Sequence, residues 1–314
     1  MSAVVRAADA APARARVALA FGLVYVLWGS TYLAIRFAVE TLPPFLMAGT
    51  RFVVAGGVLY AWARRHGAPV PNRANWAAAA VVGALLLVGG NGSVVWAEQR
   101  VPSGLAALLV ATTPLWMVVL DSVRSKTMPG AAVALGILLG LAGLFLLVGP
   151  NQLAGSRRPD PVGAAALGFA SLSWAAGSLY SRRAQLPSAP LLGSAMEMIC
   201  GGAAMLALGA ATGEPGQLSL ASIAPGSLWA FAYLVVFGSL VGFTAYTWLL
   251  RVSTPAHVST YAYVNPVIAV FLGWSIGGET VGASTLLTAG VIVGGVVLIT
   301  LYGRKGASAP DPAD

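Results

Sequence analysis

The chain has 314 residues, 58% of them hydrophobic and 9% charged, with a mean hydropathy of +0.80. Soluble domains carry about 25% charged residues, and no water-soluble core absorbs this much apolar sequence. The formal net charge of +8 comes with neither a basic face nor an RNA-type aromatic motif, which excludes nucleic acid as a partner.

Residues 1–13 form an Ala/Pro-rich tail of disordered composition. Crossing a hydrocarbon core of about 30 Å takes about 20 helical residues. Stretches of that kind fall roughly at 17–37, 44–63, 75–96, 103–120 and 130–149. After a linker over 150–160 they return roughly at 161–181, 189–211, 227–249, 255–275 and 282–302, and 304–314 is a second tail. The first stretch is too long for a signal h-region, contains Trp28 and Arg36 and lacks a convincing A-x-A site. Pro43-Pro44, Pro129-Gly130 and Pro215-Gly216 punctuate short connections with no room for a soluble domain. The expected fold is an all-α membrane protein of ten transmembrane helices.

The spans repeat. Trp28 precedes Arg36 by the same eight residues that separate Trp174 from Arg182, 146 positions later, and each Arg is followed fifteen residues on by an intramembrane charge, Arg51 and Glu197. A second correspondence, at an offset of 152, relates Trp96 to Trp248 and Thr113-Pro114 to Asn265-Pro266. Five spans per copy force the second copy to enter from the opposite side, so 14–149 and 161–303 read as two inverted five-helix repeats. Inverted repeats place one central site where it opens alternately to either face, the build of many secondary transporters.

With the N-terminus in the cytoplasm, thirteen of the 18 basic residues fall on cytoplasmic segments, three outside, and two, Arg36 and Arg51, within spans. That bias places both termini in the cytoplasm. The lone cysteine, Cys200, lies in a span and permits no intrachain disulfide.

Ionisable groups in the bilayer are costly, about 2.5–3.5 kcal/mol at mid-helix, which makes Arg51 and Glu197 functional candidates. Arg51 reads as a substrate-carboxylate or gating group and Glu197 as an amino-group or proton site. The competing reading has each satisfied by helix ends or hydroxyls, merely holding the second and seventh spans in place. Arg36, near the outer end of its helix, can snorkel. Gly89-Gly90-Asn91-Gly92 loosens its helix and exposes backbone to a cavity, or serves close packing. Pro114 and Pro266 break the backbone ladder at equivalent depths, as hinges or as static kinks. Gly136, Gly140, Gly143, Gly290, Gly294 and Gly295 suit close packing of the fifth and tenth spans.

Enzymatic readings lack residues: His66 and His257 have no nucleophile or carboxylate at matching spacing, Ser125-Lys126-Thr127 lacks the glycine of a P-loop, and metal ligands are wanting. No enzyme activity, cofactor or metal is expected. No lysine occurs in any span, which favours neutral or zwitterionic cargo over phosphorylated compounds.

The segments LWGSTYLAIRFAVETLPPFLMAGTRF, GNGSVVWAEQRVPSGLAALLVATTPL and TYAYVNPVIAVFLGWSIGGET resemble an EamA-type member of the drug/metabolite transporter superfamily, most of all the amino-acid exporters of the YddG/YedA type. The resemblance covers roughly residues 17–303. It implies a bacterial inner-membrane exporter of small metabolites, such as neutral and aromatic amino acids, acting as a monomer through a cavity bordered by helices 1, 3, 4, 6, 8 and 9. It puts the spans of Trp28, Trp96, Trp174, Trp248, Tyr246, Tyr261 and Tyr263 around the cavity, where indole and phenol rings can also face an ammonium, and with Thr31, Asn91 and Asn265 the residues Trp28, Trp96, Trp174, Tyr246 and Tyr263 are the candidates for cargo contact. A broad exporter of drugs or other amphipathic compounds, proton-coupled or not, is the alternative. The four-helix relatives that expel lipophilic cations carry a carboxylate in their first span, and this chain has none there.

Overall fold

The computed structural model describes residues 14–100, 109–148, 160–265, 267–268 and 283–302. Every regular element among them is helical, with no strand. The helices are α1 (Arg14–Val39), α2 (Pro44–Arg65), α3 (Arg73–Ala97), α4 (Thr113–Ser125), α5 (Ala131–Val148), α6 (Pro161–Ser181), α7 (Pro190–Ala211), α8 (Pro225–Val252), α9, opening at Pro255–Val258 and helical again over 261–265, and α10 (Ala283–Tyr302). Six of these, α1, α2, α3, α6, α7 and α8, are long and apolar enough to cross a membrane. The other four expected spans coincide with shorter described helices, and parts of the fourth and ninth lie outside the described residues.

The helix starts follow from local sequence. Proline stands first in α2, α6, α7, α8 and α9, where its missing N–H costs nothing and its fixed φ suits the first turn. The Asp160 carboxylate accepts from the Val162 N–H at 3.0 Å, and Asn72 and Asn75 form a reciprocal capping box at the head of α3. Large apolar side chains face outward, among them Leu19 (64% exposed), Phe169 (55%) and Trp229 (78%). An apolar exterior on helices of this length is the signature of a lipid-facing surface.

Equivalent helices of the two repeats pack on each other: α2 lies along α7, and α5 along α10. The contacts are reciprocal. A methyl group on Gly49 would stand 2.9 Å from the Gly202 carbonyl oxygen, and one on Gly202 would stand 2.9 Å from that of Gly49. Gly136 and Gly295 repeat the arrangement at 2.8 and 2.7 Å. Backbones this close admit no Cβ, the small-residue packing expected of membrane helices. Gly140 instead seats the Tyr263 ring, and Gly290 and Gly294 meet nothing within 4 Å.

Two helices, α3 and α8, widen into π-helical stretches, Ala84–Gly92 and Leu234–Phe243. They are the third span of each repeat, and the stretches overlap under the offset of 152 read from Trp96 and Trp248. π-Helical turns misalign carbonyls along the helix and concentrate at functional sites. The first falls on the glycine-rich Gly89–Gly92 segment.

Candidate functional site

A cavity with about 720 Å³ of empty space, open solvent at its mouth included, lies where both repeats converge. Trp28, Thr31 and Ile35 of α1, Arg51 and Phe52 of α2, and Gly90, Asn91 and Val94 of α3 line it, with Thr113 of α4. The second repeat adds Ala170, Ser171 and Trp174 of α6, Gly238 and Phe243 of α8, and Tyr261 and Asn265 of α9. Along α1 the lining residues are Trp28 and those after it, and along α6 they are Trp174 and those before it. The cavity therefore occupies the half of the molecule toward the end of α1 and the start of α6.

An aromatic layer closes its other side. The Trp28 ring stands 4.9 Å from Tyr246, 5.1 Å from Tyr261 and 5.6 Å from Trp174, centroid to centroid. Tyr246 in turn stands 5.4 Å from Trp174 and 5.5 Å from Tyr261. Three of these pairs, Trp28–Trp174, Trp28–Tyr261 and Tyr246–Tyr261, are edge-to-face, a geometry that contributes about 0.5–1.5 kcal/mol each beyond area. Hydrogen bonds fix the layer. The Trp174 Nε1–H donates to the Tyr246 hydroxyl at 2.7 Å, and Ser178, whose own proton goes to the Trp174 carbonyl, sits 2.6 Å from that hydroxyl and receives its proton. Beneath the layer Val24, Met117, Leu249, Leu250 and Val258 form an apolar cluster. There the Tyr25 hydroxyl meets that of Thr260 at 2.5 Å.

The π-helical stretches supply two cross-repeat hydrogen bonds. The Trp28 Nε1–H of α1 donates to the Gly238 carbonyl of α8 at 3.2 Å, and the Ser173 hydroxyl of α6 donates to the Leu85 carbonyl of α3 at 2.8 Å. These bonds link the first span of each repeat to the third span of the other, and each uses a π-helical carbonyl.

Arg51 is the charged residue among the described cavity-lining side chains. It is 4% exposed, its Nε–H donates to the Ser239 hydroxyl at 2.9 Å, and its guanidinium carbon lies 4.3 Å from the Phe52 ring centroid. Its Nη1 is buried with no hydrogen-bond partner, and so is Asn91 Oδ1. Asn265, 2% exposed, satisfies its amide when the nitrogen donates to the Tyr261 and Tyr25 carbonyls, 3.1 Å each.

Other residues singled out in the sequence stand elsewhere. Glu197 is 1% exposed with an unpartnered Oε2, does not line the cavity and makes no ion pair with Arg51. Trp96 lies away from the cavity under the Arg100 guanidinium, 4.3 Å from the ring centroid. Tyr246 belongs to the sealing layer. Tyr263 is fully buried among Ile137, Ile292 and Ile299, its hydroxyl unpartnered. Pro114 sits in the first turn of α4, just after a break at 111–112. The Thr112 and Thr113 hydroxyls fill that break by donating to the Leu109 and Val110 carbonyls, 2.6 Å each. Pro266 lies outside the described residues. Sequence reasoning missed Phe52, Phe243 and Ser239; the pairing of Gly90 with Gly242 at the offset of 152 was the available sign of the second π-helical stretch.

A multi-span helical membrane protein with a central cavity built from both halves is a transporter architecture. The chain belongs to the EamA-like transporter family, which it matches twice, over residues 16–149 and 162–301. It is 42% identical over 281 residues to YedA of Escherichia coli strain K12, described as an uncharacterized inner membrane transporter, with 88% of each chain covered. The protein PagO of Salmonella typhimurium is 26% identical over 296 residues, covering 92% of this chain and 94% of PagO. A protein of known crystal structure, 23% identical, superposes with a TM-score of 0.74 over 94% of this chain and all of the other. The protein is thus a membrane transporter of two EamA repeats.

Proposed function

We propose that this protein is an inner-membrane exporter of small metabolites, most of all neutral and aromatic amino acids. It works by alternating access between two inverted repeats of five spans each, with both termini in the cytoplasm. With that orientation the cavity faces outward and the Trp28–Trp174–Tyr246–Tyr261 layer is the closed inner gate. The observation that carries this reading is the position of that layer: it is assembled from α1, α6, α8 and α9 and lies across the floor of the cavity. Opening inward separates α1 from α6 at the Trp28–Trp174 contact while the outer ends close. A cavity walled by aromatic and aliphatic groups with a few convergent polar atoms suits cargo that is part apolar and part polar.

The test is counterflow in proteoliposomes with the purified protein. Preloaded phenylalanine or leucine should drive saturable uptake of the labelled amino acid, and phosphorylated compounds should not. Failure of every neutral amino acid, with uptake of lipophilic cations instead, replaces this reading with broad drug export.

A further inference from the structure

We infer that the obligatory feature of the cargo is a carboxylate, bound by Arg51, and that its amino group is dispensable. The inference rests on the transport reading above and narrows it. Arg51 is 4% exposed and lines the cavity, yet its one hydrogen bond among the described residues goes to Ser239, and it has no ion-pair partner there. An uncompensated buried cation is strongly unfavourable. A mobile anion entering the cavity supplies the missing charge, and the planar guanidinium fork suits a carboxylate.

No Asp or Glu is among the described lining residues, and Glu197 lies off the cavity. Among the described lining residues an incoming ammonium meets aromatic rings and neutral groups such as Asn91, whose buried Oδ1 lacks a partner. Those groups also accept an uncharged substituent. The described lining is asymmetric in charge, so an aromatic acid without an amino group should be bound nearly as well as the amino acid, and an aromatic amine without a carboxylate should be rejected. Ser239 holds the guanidinium by its Nε, and neither terminal nitrogen has a hydrogen-bond partner among the described residues, Nη1 being buried.

Competition in wild-type counterflow of labelled phenylalanine tests this directly. Unlabelled 3-phenylpropionate should compete within about threefold of unlabelled phenylalanine, and phenethylamine should be at least about tenfold weaker. Arg51→Gln should abolish uptake of both acids, and Ser239→Ala, which leaves the cation in place, should weaken it severalfold. Equal competition by phenethylamine overturns the inference while leaving the transport reading intact, as does full phenylalanine uptake by Arg51→Gln. Absence of counterflow with any amino acid in the wild type instead removes the transport reading and this inference with it. Because the competition uses the wild type, a poorly folded Arg51→Gln cannot mask the outcome.

Discussion

Trp28 and Trp174 occupy equivalent positions of the two repeats and touch, ring centroids 5.6 Å apart and planes at 81°. Each also packs on a glycine of the other repeat's third span. A methyl group on Gly242 would stand 2.6 Å from Trp28 Nε1, and one on Gly90 would stand 2.6 Å from the Trp174 ring. The two glycines are themselves 152 positions apart. Gly90→Ala and Gly242→Ala should each displace a tryptophan of the aromatic layer, lowering counterflow about tenfold if the layer gates transport, while overpacking costs about 1–3 kcal/mol of stability. Transport and thermal unfolding in detergent measure the two effects. Comparable losses from both sites are expected because the contacts are equivalent, and wild-type transport in both variants would remove the rings from the gate.

Truncating the ring separates gating from hydrogen bonding. Trp28→Phe keeps an aromatic face toward Tyr246 and Tyr261 but loses the bond to the Gly238 carbonyl, a change of about 1 kcal/mol. Trp28→Ala and Trp174→Ala remove the contacts altogether and should weaken counterflow by about tenfold with the folded protein retained. Unchanged counterflow in both alanine variants would mean that these rings merely pack.

The all-helical, two-repeat membrane architecture is legible because it rests on length, hydropathy and repetition. The 146 offset marked the two tryptophans that meet, and the 152 offset marked the two helices that carry π-helical stretches. The side chains gathered at the cavity were half legible. Trp28, Thr31, Arg51, Asn91, Trp174 and Asn265 stand there, whereas Trp96 and Tyr263 lie on other faces of the same helices. Span-level reasoning fixes depth in the bilayer and leaves rotation about the helix axis open. Val94, beyond the π-helical stretch in α3, lines the cavity, and Trp96 two residues later falls on another face at about 100° per residue.

Glu214, in the connection after α7, was not singled out by the sequence, yet it is 4% exposed and clasps the start of α2. Its carboxylate accepts the Phe45 N–H at 3.0 Å and the Leu46 N–H at 2.7 Å, joining the two repeats at that end. Charge and geometry both favour an anion at this helix start. Glu214→Ala leaves two amides without their acceptor and should cost about 1–3 kcal/mol, read as a lower melting temperature. Wild-type thermal stability in this variant would show that the clasp contributes nothing.

Glu98 caps the end of α3 beyond Ala97, and burial pushes its carboxyl up to about 7 from 4.5. Between those values the folded protein binds a proton that the unfolded chain has released, so stability falls as pH rises through this window. Above about 7 both states are ionised and the penalty is constant. Its upper bound is roughly 3 kcal/mol, less where water reaches this half-buried residue. Glu98→Gln should therefore unfold at a higher temperature than the wild type at pH 8 and at the same temperature near pH 4. A difference that does not change with pH would assign the effect to something other than this proton.

Glu197 bears on coupling. It is buried in α7 and does not line the cavity. A proton antiporter needs a group that exchanges a proton for cargo at one place, and the described cavity lining holds no carboxylate. Transport is accordingly expected to run down the cargo gradient. Glu197→Gln should keep counterflow within about twofold of the wild type, and an imposed pH gradient should accumulate cargo in neither protein. Proton-dependent accumulation by the wild type that Glu197→Gln loses would make Glu197 the coupling site. The cargo and the proton would then be linked through the packed α2–α7 interface, since Glu197 does not reach the cavity itself.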